Sequence, residues 1–145
     1  AGADPAAPRG GHVVLVGHGR VGRRIARVFQ ERGVPYVVVE QNRETAEALR
    51  REGHAAVVGD AADPTVLPQA NVESASLLVI AIPDTVNVRK MVEIARGAKP
   101  DLPVVLRTHN EEEARLLAEE SAGKVFLGEE ELAHGMTRHI LERLG

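Results

Sequence analysis

The chain has 145 residues, a length that suits one domain and excludes two large enzyme lobes. With 43% hydrophobic and only 2% aromatic residues the core must be built from Val, Ile, Leu and Ala, and the absence of cysteine excludes a disulfide framework and thiolate metal sites. A formal net charge of −3, with both signs interspersed, leaves no nucleic-acid footprint, and Phe29, Tyr36 and Phe126 offer few stacking faces for single strands.

Residues 1–11 are small residues, Pro and Gly without periodicity, which predicts a linker, or a remnant of excision from a longer protein, that does not pack. A single domain is predicted over residues 12–145. Six near-continuous apolar runs follow: Val13-Val14-Leu15-Val16, Val37-Val38-Val39, Ala55-Ala56-Val57-Val58, Leu77-Leu78-Val79-Ile80, Val104-Val105-Leu106 and Val125-Phe126-Leu127. Strands covered on both faces read this way. Between the first two runs Val21, Ile25, Val28 and Phe29 fall at helical spacing, with Arg20, Arg23, Arg24 and Arg27 in other positions. After the fourth, Val88, Met91, Val92 and Ala95 repeat an amphipathic stripe. Helices separating six strands predict an α/β fold, a Rossmann-like doubly wound parallel sheet in the order 3-2-1-4-5-6 with helices on both faces. A final helix, Glu129 to Leu144, opens with three Glu and carries Leu132, Met136, Ile140 and Leu144 four apart, beside Ala133 and Leu141. Its apolar side packs either on its own sheet or on a partner subunit. No apolar run approaches the ~18 residues of a membrane span.

Gly17-His18-Gly19-Arg20-Val21-Gly22 is a G-x-G-x-x-G that ends the first strand and opens the first helix. Gly17 permits the tight turn, Gly19 lets backbone N–H groups reach a phosphate, and Gly22 lets helix and strand approach. The helix N-terminus then faces an anion. Glu40 ends the second strand 18 positions beyond the last glycine, close to the ~20 expected of the acid that accepts hydrogen bonds from a ribose diol. A carboxylate there repels a 2′-phosphate, which disfavours NADP and suits NAD, AMP, ADP or ATP. Gly59-Asp60-Ala61 closes the third strand at the same sheet edge, where Asp60 either bonds an adenine amino group or shapes the turn into Asp63-Pro64. Ala81-Ile82-Pro83-Asp84 ends the fourth strand, with Asp84 a predicted helix cap. Arg107 ends the fifth and points a cation toward that edge, toward a phosphate or a nearby carboxylate turn. Arg20 either forks onto phosphate oxygens or is one more charge on an Arg-rich face.

The six histidines form no metal constellation: His134 and His139 are five apart, off the register of a helical zinc pair. Catalytic residues are also missing. Tyr36 has no lysine four residues on, so the Tyr-x-x-x-Lys pair of short-chain dehydrogenases does not occur, and no segment is left for a substrate domain.

Taken in order, the glycine opening, Glu40, the Gly59-Asp60-Ala61 turn and the Ala81-Ile82-Pro83 strand end resemble the RCK or TrkA-N domain, which regulates potassium channels and transporters. The resemblance covers about His12 to Leu144. Val39-Glu40-Gln41-Asn42 and Gly128-Glu129-Glu130-Glu131-Leu132 look most like the Kef-type branch, the cytosolic C-terminal domains of inner-membrane monovalent cation:proton antiporters. The resemblance implies an adenine nucleotide (AMP, ADP, ATP or NAD(H)) with its phosphate over Gly17, His18, Gly19, Arg20, Val21 and Gly22. It places Glu40 on the ribose and Asp60 and Ala61 near the base, with Gln41, Gly59, Ala81, Ile82, Pro83 and Arg107 also among the nucleotide-binding residues. It also implies a homodimer through the final helix, a transmembrane transporter partner, and no enzymatic activity. His18 stands where the family often has an aromatic or aliphatic residue. The competing reading is the cofactor-binding half of an NAD-dependent dehydrogenase.

Overall fold

The computed structural model describes residues 4–82, 86–120 and 122–145. Its strands are β1 (Val13–Val16), β2 (Tyr36–Glu40), β3 (Ala56–Val58), β4 (Leu77–Ile80), β5 (Val104–Thr108) and β6 (Lys124–Leu127). They form one parallel sheet in the order β3-β2-β1-β4-β5-β6, as the apolar runs predict. The helices are α1 (Arg20–Arg32), α2 (Arg43–Arg51), α3 (Val88–Ala98), α4 (Glu111–Glu119) and α5 (Gly128–Leu144).

Because successive side chains in a strand point to opposite faces, each apolar run feeds two cores. On one face Leu15, Val38, Ala56 and Val79 pack beneath Ala26 of α1 and Ala46 and Leu49 of α2. On the other Val14, Val37, Leu78, Ile80 and Leu106 meet Val88, Met91 and Ala95 of α3 and Leu117 of α4. Val28, read as part of the α1 stripe, is instead 47% exposed, and the buried α1 positions are Gly22 and Ala26. Between β3 and β4 the crossover contains two 3-10 turns, Leu67–Ala70 and Val72–Ser74, in place of an α-helix. Pro64 and Pro68 explain this, since each lacks the N–H that an α-helical ladder needs.

The N-terminal segment departs from its reading as an unpacked linker. Asp4 Oδ2 accepts from the buried Ala56 N–H at 3.1 Å, and the Ala56 carbonyl accepts from Arg50 Nε at 2.8 Å. Both backbone groups lie on the outer edge of β3, an end strand of the sheet, so these two side chains close an edge that would otherwise invite pairing. Asn71 Nδ2 donates to the Pro8 carbonyl at 2.9 Å, Ser74 Oγ donates to the Arg9 carbonyl at 2.7 Å, and Ala7 is buried. Fully buried His12 follows, with Nε2 2.9 Å from the Ala70 carbonyl.

α5 buries none of its residues: Leu132, Met136, Ile140, Leu141 and Leu144 are 50–79% exposed. Its apolar side does not pack on the sheet of its own chain.

Candidate functional site

All six strands are parallel, so their C-terminal ends lie along one sheet edge, where α/β proteins of this topology hold ligands. The β1–α1 loop sits at the centre of that edge. Gly17 N–H donates to the Val39 carbonyl at 2.9 Å, and its φ of +99° belongs to glycine. A Cβ there would lie 2.6 Å from Ile82 Cγ2, while one on Gly22 would collide with the Gly17 carbonyl oxygen. A Cβ on Gly19 would meet nothing within 4 Å. The loop is therefore closed against the protein at Gly17 and Gly22 and open to solvent at Gly19. α1 begins at Arg20 without a side-chain cap, leaving its first-turn N–H groups available to an anion.

Glu40 is tied to this loop more closely than its spacing discloses. Its Oε1 accepts from His18 N–H at 3.0 Å and its Oε2 from Asn42 N–H at 2.7 Å. One carboxylate thus braces the β1–α1 loop against the start of α2, whose cap Asn42 accepts from Thr45 N–H at 3.0 Å. A carboxylate offers about four acceptor positions, so lone pairs remain for a diol. Burial is the largest influence on the His18 imidazole and holds its pKa below the ordinary histidine value against the opposing pull of Glu40.

Gly17, Glu40, Gln41, Gly59, Asp60, Ala61 and Ile82 line one crevice of about 100 Å³ that opens to solvent. Asp60 takes the turn-shaping role: Oδ1 accepts from Ala62 N–H at 2.9 Å and its carbonyl from Asp63 N–H at 2.8 Å. Arg107 turns to its own sheet, donating from Nη1 to the Ala81 carbonyl at 3.2 Å, with Nη2 3.1 Å from His109 Nε2. Ala81 is buried beside the loop, its N–H on the Val16 carbonyl at 2.9 Å. Val21 packs inward, and Arg20 is exposed on the outer flank of α1. Pro83 and the predicted cap Asp84 lie outside the described residues. Sequence reasoning missed Met91, which also lines the crevice; its place in the α3 stripe signals only a core residue. A larger depression, about 560 Å³, lies under the N-terminal segment at the opposite sheet edge, where Asp4, Gln69 and Asn71 are already bonded to backbone.

The sequence model of the TrkA-N domain matches residues 13–128, spanning all six strands and the whole crevice. The chain belongs to the TrkA-N domain family. YbaL of Escherichia coli (strain K12), named as a cation/proton antiporter, is 34% identical over 125 residues, which are 86% of this chain and 22% of YbaL. KefB of Alkalimonas amylolytica, named as a K(+) efflux antiporter, is 31% identical over 90% of this chain and 20% of its own length. This TrkA-N domain thus spans about a fifth of the curated relatives it matches. The crystal structure of the YbaL TrkA-N domain superposes with a TM-score of 0.82 at 34% identity, covering 88% of this chain and 94% of that one. The AMP-bound C-terminal domain of Kef from Shewanella denitrificans shares the fold, with a TM-score of 0.76 at 24% identity over 92% of this chain and 81% of that one. This TrkA-N domain is homologous to domains of the Kef and YbaL antiporters.

Proposed function

We propose that this TrkA-N domain binds an adenine nucleotide (AMP, ADP, ATP or NAD(H)) along the C-terminal sheet edge. In this reading it is the cytoplasmic regulatory domain of an inner-membrane potassium or monovalent cation:proton antiporter of the Kef type. Nucleotide occupancy biases transport, and the transmembrane part belongs to the same full-length chain. The observation that carries the binding reading is the pairing of an open Gly19 with Glu40 fixed beside it on His18 N–H. The phosphate sits over Gly17 to Gly22, the ribose diol on Glu40 with Gln41 next to it in the crevice wall, and the base beside Asp60 and Ala61. Ala81 and Ile82 border the loop, with Arg107 bracing Ala81. The solved Kef domain of this fold holds AMP, which supports the class of ligand. The dehydrogenase reading draws less support, since the curated relatives that this chain matches are named as antiporters.

The domain works as a homodimer through α5. Five large apolar residues exposed on a 17-residue helix that buries none of its own call for a partner surface.

AMP or NAD at 100 times its Kd is expected to add about 2.7 kcal/mol of stability, read as a rise in melting temperature. NADP should give no comparable rise, because its 2′-phosphate meets the Glu40 carboxylate. Equal stabilisation by NADP would refute the role given to Glu40, and no stabilisation by any of the three would refute nucleotide binding.

A further inference from the structure

The outer face of α1 carries Arg20, Arg23, Arg24 and Arg27 at the i, i+3, i+4, i+7 spacing that places side chains in one row. They line an open depression of about 280 Å³ with no other residue type in its wall. Four arginines of the other helices are matched with acids, Arg43 with Glu47, Arg50 with Asp4, Arg89 with Glu113 and Glu120, and Arg115 with Glu112 and Glu119, whereas among the described residues Arg51, Arg138 and Arg143 stand singly; only on α1 do four arginines without an acid share one row. Among the described residues no carboxylate lies within ion-pair distance of the α1 row, and Glu31, next along the same face, makes no bridge to it. The first turn of α1 also has no acidic residue and begins with Arg20, the wrong sign for a helix N-terminus. Like-charge neighbours and an unfavourable dipole both destabilise the free helix, and an anion on the row reverses both.

We propose that this row is a second anion site, which adjoins the nucleotide's phosphate loop at Arg20 and runs away from it through Arg24 and Arg27, for a linear oligophosphate. Each planar guanidinium offers a fork matched to two phosphate oxygens, and four of them extend about 10 Å along the helix. A wall made only of guanidinium groups gives a polypeptide no apolar surface to bury against, which favours a small polyanion. At 1.5 Å rise per residue, Arg24 and Arg27 stand about 6 and 10 Å beyond Arg20 and away from the phosphate loop. Arg23 Nε donates to the Gly19 carbonyl at 3.3 Å, so the row is anchored to that loop.

The test is calorimetric titration of the whole protein with sodium tripolyphosphate at about 0.15 M ionic strength, with and without AMP. Saturable binding is expected in both conditions. Arg24→Gln/Arg27→Gln should weaken it at least about tenfold, since two of the four charge-assisted forks are lost. The double variant should melt no lower than wild type without ligand, because repulsion is removed. Absence of saturable binding, equal binding by both proteins, or a clearly lower melting temperature in the variant would overturn the proposal. Attachment to phosphatidylglycerol vesicles without binding to free tripolyphosphate would also overturn it, in favour of a membrane surface. Tripolyphosphate binding does not require AMP to bind, so failure of the nucleotide reading leaves a separate signature.

Discussion

Gly22→Ala is expected to destabilise the domain by about 3 kcal/mol or more, lowering its melting temperature by roughly 10 °C. The added methyl group would run into the carbonyl oxygen of Gly17, a backbone atom that cannot swing aside as a side-chain tip can. Gly17 is itself pinned by its N–H on the Val39 carbonyl and by the packing of Ile82 at its α-carbon. Relief therefore requires α1 to lift from β1, which opens the core around Leu15 and Ala26. Thermal unfolding followed by circular dichroism measures the effect. A variant that melts within a degree or two of wild type would show that the loop can yield and that Gly22 is not a packing requirement.

Met136→Asp is expected to raise the dimer dissociation constant by about a hundredfold or more while leaving the fold intact. In the single chain Met136 is 58% exposed, and α5 buries nothing, so the carboxylate meets water and the sheet is undisturbed. In a two-fold symmetric contact the same substitution enters from both subunits. An unpaired buried carboxylate costs about 3–5 kcal/mol when a contact closes over it, which exceeds the 2.7 kcal/mol of a hundredfold change. Sedimentation of wild type and variant at matched concentration, with circular dichroism to confirm folding, reads the result. A wild type that sediments as a monomer would contradict the dimer, and a variant that unfolds outright would show that α5 serves its own core.

The sheet was legible because parallel strands covered on both faces leave uninterrupted β-branched runs, and because each crossover must return the chain in the same direction. The glycine loop and Glu40 were legible for a related reason: their spacing along the chain reflects a fixed βαβ geometry. Contacts without periodicity were not. Asp4 closes the edge at Ala56 through a single hydrogen bond across 52 positions, and nothing in a run of Ala, Pro and Gly announces it. The double attachment of Glu40 to His18 and Asn42 N–H groups is likewise a matter of carboxylate orientation, which spacing does not specify. The lack of an acid beside the α1 arginines is equally hidden, because ion pairing depends on tertiary placement, as it does for Arg89, which reaches Glu113 and Glu120, 24 and 31 positions away. Proline chemistry explains the missing crossover helix, and the apolar count of α5 gave its helical form without its surroundings.

Nucleotide binding over the β1–α1 loop is tested most directly by calorimetric titration of AMP into wild type and Gly19→Ala. An added Cβ at Gly19 meets no protein atom within 4 Å, so the variant folds with its loop in place and only a ligand approaching that backbone encounters the methyl group. AMP is expected to bind wild type in a saturable manner and Gly19→Ala at least about tenfold more weakly, the equivalent of losing about 1.4 kcal/mol. Equal affinity for AMP in a normally folded Gly19→Ala protein, or no binding by wild type, would contradict the assignment of a phosphate to this loop.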